Sequence, residues 1–180
     1  GTIGELLALD RGEFKRIVKE NFAKYIRKEM SYSEARSWWD CFKTLKWHVF
    51  NKFGERDLAK WKKLRISFEM VLPNQQRTDV LIFTERMIFV LEFKRKSKAY
   101  FGHLREVKAY CDKIEKWSEV CKGRKVRGIV VYTRMKEHCL HLWGRTRMCS
   151  SHQLKKQLLY LQPSPATKSS FIHSSTSSPS

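Results

Sequence analysis

No apolar run in the sequence approaches the roughly 18 residues a membrane-spanning helix needs, so no span is expected. Residues 1–14 (GTIGELLALDRGEF) carry no basic leader ahead of an apolar stretch, and no secretory signal is expected either. The five cysteines (Cys41, Cys111, Cys121, Cys139, Cys149) are odd in number and include no C-x-x-C pair. That argues against a disulfide framework and for reduced thiols in an intracellular protein. His138, Cys139, His141, Cys149 and His152 form the one Cys/His cluster, and their spacing does not fit the pairs of a structural zinc site. Negative charge is the scarcest commodity: 18 Asp and Glu stand against 37 Lys and Arg, for a net charge of +19. With 13% aromatic residues, this excess points to a polyanion, most simply nucleic acid. A ribosomal-RNA-binding or membrane-surface protein would use the same charge, so catalysis does not follow from it.

What is present is patterning. Residues 13–30 (EFKRIVKENFAKYIRKEM) space Phe14, Ile17, Val18, Phe22, Tyr25 and Ile26 by three and four, as an amphipathic helix does. Ser31-Tyr32-Ser33-Glu34 has the S-x-x-E form of a capping box and predicts a second, Trp-rich helix running to about Phe53, with Gly54 as its stop. One or two helical turns fit residues 57–64. Residues 65–72 (RISFEMVL) read as a strand, broken by Pro73-Asn74.

Two short apolar runs follow, 80–83 and 87–91, separated by Thr84-Glu85-Arg86. Runs of this length and composition predict a β-hairpin. If Glu85 and Arg86 form a two-residue turn, Thr84 pairs with Met87 and Asp79 falls opposite Glu92. Lys94 then shares the face of Glu92 through the two-residue period. Glu-Arg lacks the Gly or Asn that favours a tight primed turn, so a longer loop is equally open. A three-residue loop would pair Asp79 with Leu91. In the first register, two carboxylates and an ammonium gather at one end of an apolar ribbon.

A helix over 101–117 and a covered strand over 126–133 (VRGIVVYT) come next, and a crossover helix between two such strands favours their parallel pairing. A last helix fits 153–161. The expectation is an α/β domain over residues 1–161 with a mixed central sheet flanked by helices. The Ser/Pro-rich stretch 162–180 reads as a disordered tail. The six Trp fall at helical core spacings and read as packing.

Asp79 and Glu92 suit a Mg²⁺ or Mn²⁺ ion, which keeps several waters and takes one or two protein carboxylates. A cation there would relieve the repulsion between them. Lys94 would orient a water or neutralise charge developing on a phosphate under attack. Each of the three has a plain structural alternative: a turn-type Asp at a strand start, and a same-face ion pair for Glu92 with Lys94.

Asp79, then Glu92-x-Lys94 on the next strand, then a helix and a strand, resembles the PD-(D/E)XK nuclease superfamily. The segments FEMVLPNQQRTDVLIF and FVLEFKRK are similar to nuclease domains found alone or beside P-loop helicases in bacterial and phage systems. Those domains carry an E-x-x-L-P, R-x-D and E-x-K series followed by a helix with Q-x-x-x-Y. Here that helix reads Glu106-Val107-Lys108-Ala109-Tyr110, with Glu106 in place of the Gln and adding charge on the metal side. The resemblance covers residues 31–133. It implies a restriction-endonuclease-like core and a Mg²⁺- or Mn²⁺-dependent deoxyribonuclease serving DNA repair, recombination or defence, with DNA and a possible helicase as partners. It also implies a further acid. Glu34 is one candidate, against its reading as the capping partner of Ser31. Glu69 is the other, against a solvent-facing residue paired with a Lys. Tyr110 serves equally as a packed or a functional residue. Lys96 and Lys98, with Arg124, Lys125 and Arg127, follow the strands in this reading and would ring the acids with phosphate-binding charge, as would Arg134 and Lys136. A basic nucleic-acid-binding module without catalysis is the alternative. The cysteine spacings do not resemble the four-Cys iron–sulfur clusters of some superfamily nucleases.

Overall fold

The computed structural model describes residues 1–26, 31–73, 75–136 and 141–161. The expected tail at 162–180 and the middle of the Cys/His cluster, His138 and Cys139, lie outside them. In chain order the elements are α1 (Ile3–Ala8), α2 (Arg11–Ile26), α3 (Tyr32–Lys43), α4 (Glu55–Trp61), β1 (Arg65–Val71), β2 (Arg77–Phe83), β3 (Met87–Lys94), α5 (Phe101–Lys116), α6 (Ser118–Cys121), β4 (Lys125–Tyr132), β5 (His141–Trp143), β6 (Thr146–Ser150) and α7 (Ser151–Leu161). The six strands form one mixed sheet in the order β1-β2-β3-β4-β6-β5. β1, β2 and β3 are antiparallel neighbours, β3, β4 and β6 run parallel, and β5 returns antiparallel at the edge. The fold is therefore α/β, as expected. Among the described residues no helix is long and apolar enough to cross a membrane.

Strand β3 shows why the site sits where it does. Its side chains alternate between two buried clusters. Phe89, Leu91 and Phe93 join Phe14, Phe42 and Leu45 from α2, α3 and the turn after it, while Ile88 and Val90 join Leu104, Val107 and Ile114 from α5. A strand covered on both faces is continuously apolar until its end. Glu92 and Lys94 fall on the α5 side of that alternation. Fully burying a Val, Leu, Ile or Phe side chain contributes about 1.5–3 kcal/mol, so the apolar part of β3 readily offsets the cost of a buried carboxyl at its end.

Helix α5 lies close to β4 because Gly128 lets it. A Cβ at Gly128 would come within 2.4 Å of Val107 Cγ1 and 2.9 Å of Cys111 Sγ. Three departures from the sequence reading stand out. The expected helix from Ser31 to Phe53 is α-helical only to Lys43, then widens into a π-helical segment, Thr44–Val49, and a 3₁₀ turn, Phe50–Lys52. Leu45, Val49 and Phe50 are all fully buried along this widened stretch. The second departure is the β5–β6 hairpin, where the sequence showed only a Cys/His cluster; Gly144, at φ +57°, makes its turn. The third is Trp47, which is 42% exposed where Trp38 and Trp61 are buried, although its ring still packs edge-on against Trp39 and Phe42.

Candidate active site

The β2–β3 hairpin closes through Glu85 and Arg86. Thr84 N donates to Met87 O at 2.8 Å, and the Thr84 hydroxyl both accepts from Met87 N (2.9 Å) and donates to Met87 O (3.0 Å). A side-chain clasp thus does what Gly or Asn would otherwise do in the turn. Neither turn residue is among those with positive φ. The ladder runs from Phe83–Ile88 to Val80–Leu91, and one further step sets Asp79 opposite Glu92. The two-residue register holds, and the three-residue alternative does not. The ladder stops there because Asp79 Oδ2 takes the Phe93 N–H, at 2.7 Å.

Glu92 is 6% exposed. Its Oε1 accepts from Lys94 Nζ at 2.9 Å, while its buried Oε2 has no hydrogen-bond partner. Lys94 Nζ also meets Glu106 Oε2 at 2.8 Å, and Glu106 Oε1 accepts from Tyr110 OH at 3.0 Å. Glu106 and Tyr110 are one turn apart on α5, so one helix face carries both to the ammonium. Tyr110 is both packed and polar here: its ring is 6% exposed and its hydroxyl is bonded within the site.

The remaining acids cluster on the other side of Asp79. Glu69 occupies the position on β1 opposite Asp79, in a left-handed conformation with φ +50°, and the ladder skips that pair. Its Oε2 lies 3.0 Å from Arg77 Nη1, and Arg77 Nη2 lies 3.8 Å from Glu34 Oε1. Glu34 also completes the capping box of α3, its Oε2 accepting from Ser31 N at 2.9 Å. Glu34 thus serves its structural role while reaching toward the site through Arg77. The partner of Glu69 is Arg77 rather than a Lys. The linking function of Arg77 was missed in the sequence, although its place two residues before Asp79 on one strand signalled it.

Burial dominates the electrostatics. It pushes Glu92 up to about 8, with Asp79 raising it further and Lys94 opposing. It pushes Asp79 up to about 6 and Glu69 up to about 7, the latter also raised by Asp79 and opposed by Arg77. Lys94 rises despite its own burial because Glu92 and Glu106 hold its proton. Glu106 is lowered, its burial outweighed by Lys94 and by the Tyr110 hydrogen bond. Three carboxyls in one corner therefore resist simultaneous ionisation, whereas a fourth is already satisfied.

Lys96 and Lys98 lie in the exposed linker directly after β3, as expected. Arg124, Lys125 and Arg127 do not ring the acids. The parallel register pairs Lys125 with Met87 and Tyr132 with Lys94, so β4 begins at the far end of the sheet. Seven residues at about 3.3 Å each separate its start from the level of Lys94, roughly 23 Å. Residues 122–124 precede a strand instead of following one. There Arg124 Nε donates to Thr84 O at 2.8 Å and fastens the hairpin turn, and the basic side chains border a cavity of about 560 Å³ with Arg86 and Tyr160.

A metal centre would rest on few protein ligands. Among the described residues no three His, Cys, Asp or Glu are arranged to hold one ion. The residues present nevertheless fit a hard divalent cation: two carboxyls raised chiefly by burial, Glu92 also by the charge of Asp79, with a buried oxygen of Glu92 lacking any partner. No protein-family model and no curated protein matches the chain. Among solved structures, the chain is similar to the small subunit of the heterodimeric restriction endonuclease R.BspD6I, at 11% identity and a TM-score of 0.37, over 79% of this chain and 76% of that one. So remote a likeness does not bear on activity.

Proposed function

We propose that the protein is a metal-dependent nuclease that hydrolyses DNA phosphodiesters at the Asp79–Glu92–Lys94 corner. One observation carries the reading: a sheet end that sets a half-buried carboxyl, Asp79, opposite a buried one, Glu92, leaves a Glu92 oxygen unpartnered and sets an ammonium beside them, in a chain of net charge +19. Asp79 and Glu92 would hold Mg²⁺ or Mn²⁺, which supplies Lewis acidity and a more acidic bound water. The chain's own contributions are positional. The Phe93 N–H fixes the Asp79 carboxyl and leaves its second oxygen available. Lys94, steered by Glu92 and Glu106, brings a compact positive charge to a phosphate that gains negative charge in the transition state. Glu106 and Tyr110 hold that ammonium in place from α5. Glu69 is the better candidate for a further acid, because it faces Asp79 across the strands while Glu34 is engaged at its cap.

The test is plasmid and linear duplex DNA with Mg²⁺, comparing the parent with Asp79→Ala and Lys94→Ala. Cleavage by the parent, lost in both variants, is expected, and equal cleavage by all three proteins would reject the reading. A second reading draws on the small ligand count and on the two carboxylates that already occupy Lys94. It makes the domain a nucleic-acid-binding module, and DNA binding indifferent to EDTA without any cleavage would favour it.

A further inference from the structure

At the acids' end of the sheet is a second, basic pocket of about 240 Å³ that the reaction described above does not use. It lies between α3 with its π-helical extension and the carboxyl ends of the parallel strands β3, β4 and β6, each of which adds a wall residue just past its end: Arg95, Thr133 with Arg134, and Ser151. Carboxyl ends of parallel strands are the usual place for a ligand in an open α/β sheet. The pocket lies at the same end of the sheet as the candidate active site, on the α3 side where Glu92 and Lys94 are on the α5 side: Arg95 follows Lys94, and the Thr133 N–H donates to the Lys94 carbonyl at 3.1 Å.

Its charge is unbalanced. Asp40 is the one carboxylate in the wall, and it is shared by Lys43 at 3.0 Å and Arg95 at 3.4 Å. Arg134 adds a third cation, on an exposed turn. Thr44 and Ser151, each at least nine-tenths buried, supply hydroxyls rather than apolar surface. A wall of fixed cations and hydroxyls, with little apolar surface to stack a base or hold an apolar ligand, matches a phosphate group.

We propose that this pocket binds a phosphate of the nucleic acid, next to the one presented to Asp79 and Glu92. The proposal rests on the nuclease reading for the identity of that neighbour. The ligand is either an internal phosphodiester or the terminal monophosphate of a strand end.

The experiment measures anisotropy of a 3′-labelled 20-base-pair duplex in EDTA across 50–200 mM salt, with 5′-phosphate and 5′-hydroxyl ends compared. Arg134→Ala should lower the slope of log K against log salt by about 0.9, which weakens binding roughly threefold more at the low-salt end than at the high-salt end. Arg134→Lys should restore the slope. Lys63→Ala, an equal loss of charge just before β1 at the opposite end of the sheet, should leave it unchanged. A 5′-phosphate preference that disappears in Arg134→Ala identifies the terminal group, and its absence with the slope change intact identifies an internal phosphate. An unchanged slope in Arg134→Ala, or an equal fall in Lys63→Ala, overturns the proposal. Because no metal is present, a chain that cannot cleave still reports on the pocket, and cleavage with an unaltered slope removes the pocket alone.

Discussion

Raising the pH without metal should weaken the fold through Asp79 and Glu92, and Mg²⁺ should reverse the loss. Both carboxyls titrate higher in the folded state than in an unfolded chain, near 6 and 8 against ordinary values near 4, because burial disfavours their charged forms. A folded state that holds protons more tightly gains stability at low pH. That gain is complete below about pH 4 and is lost as the pH climbs through the folded values, from about 5 to about 8. One pKa unit corresponds to 1.36 kcal/mol, and the rise of Glu92 from 4.5 to about 8 sets the scale, so the loss is on the order of 5 kcal/mol. For a chain of this size that is roughly 10–20 °C in Tm. Glu92→Gln removes the titrating group while keeping its shape. Thermal melts in EDTA from pH 5 to 9 should therefore show a steeper fall for the parent than for the variant. Mg²⁺ at a hundredfold excess over its Kd adds about 2.7 kcal/mol. Since it competes with protons for the two carboxyls, its effect on Tm should be large at pH 8.5 and small at pH 5.5, and absent in Glu92→Gln at both. Parallel pH profiles for parent and variant, or a Mg²⁺ shift as large at pH 5.5 as at 8.5, would refute the argument.

Lys94→Arg should cleave no better than Lys94→Ala, at least a hundredfold below the parent, because a planar fork cannot replace a compact ammonium between Glu92 and Glu106; single-turnover rates decide it. Thr84→Ala should cost about 1–2 kcal/mol in urea melts, since Met87 N loses its acceptor in a buried turn; an unchanged midpoint would show that the clasp is dispensable. Gly128→Ala should cost about 1–3 kcal/mol by driving α5 off β4, and near-parental stability would mean that Val107 and Cys111 shift freely. Arg77→Ala should raise the Glu69 carboxyl further above 7 by removing its counter-charge, visible as a later titration of its side-chain resonance; an unmoved midpoint would leave burial as the whole cause.

The difference between what the sequence disclosed and what it hid follows the range of the interactions. The hairpin site was legible because period-two alternation and a short polar link are local, and the register follows from the link once its length is known. The sequence could not supply that length, because a Thr84 hydroxyl clasp replaces the usual turn residues and leaves no compositional mark. The parallel pairing of β3 with β4 was legible from the crossover helix. Its consequence for charge was not drawn, for a basic segment at the start of a parallel strand lies a full strand length from the end of its neighbour. The basic residues that do reach the acids sit on the hairpin strands themselves, Arg77 at the start of β2 and Lys94 at the end of β3. Glu69 is a different case: nothing local predicts a left-handed glutamate within a strand. Holding such a conformation costs of order 1–3 kcal/mol, and the surrounding sheet must maintain it. Asp79, Arg77 and Trp38 all act on that one side chain. Backbone strain, burial and two opposing charges therefore converge on the residue facing Asp79, which makes Glu69→Gln a sharper probe of a third acid than any change at Glu34. Metal-dependent cleavage that survives Glu69→Gln at the parental rate would confine the acidic centre to Asp79 and Glu92.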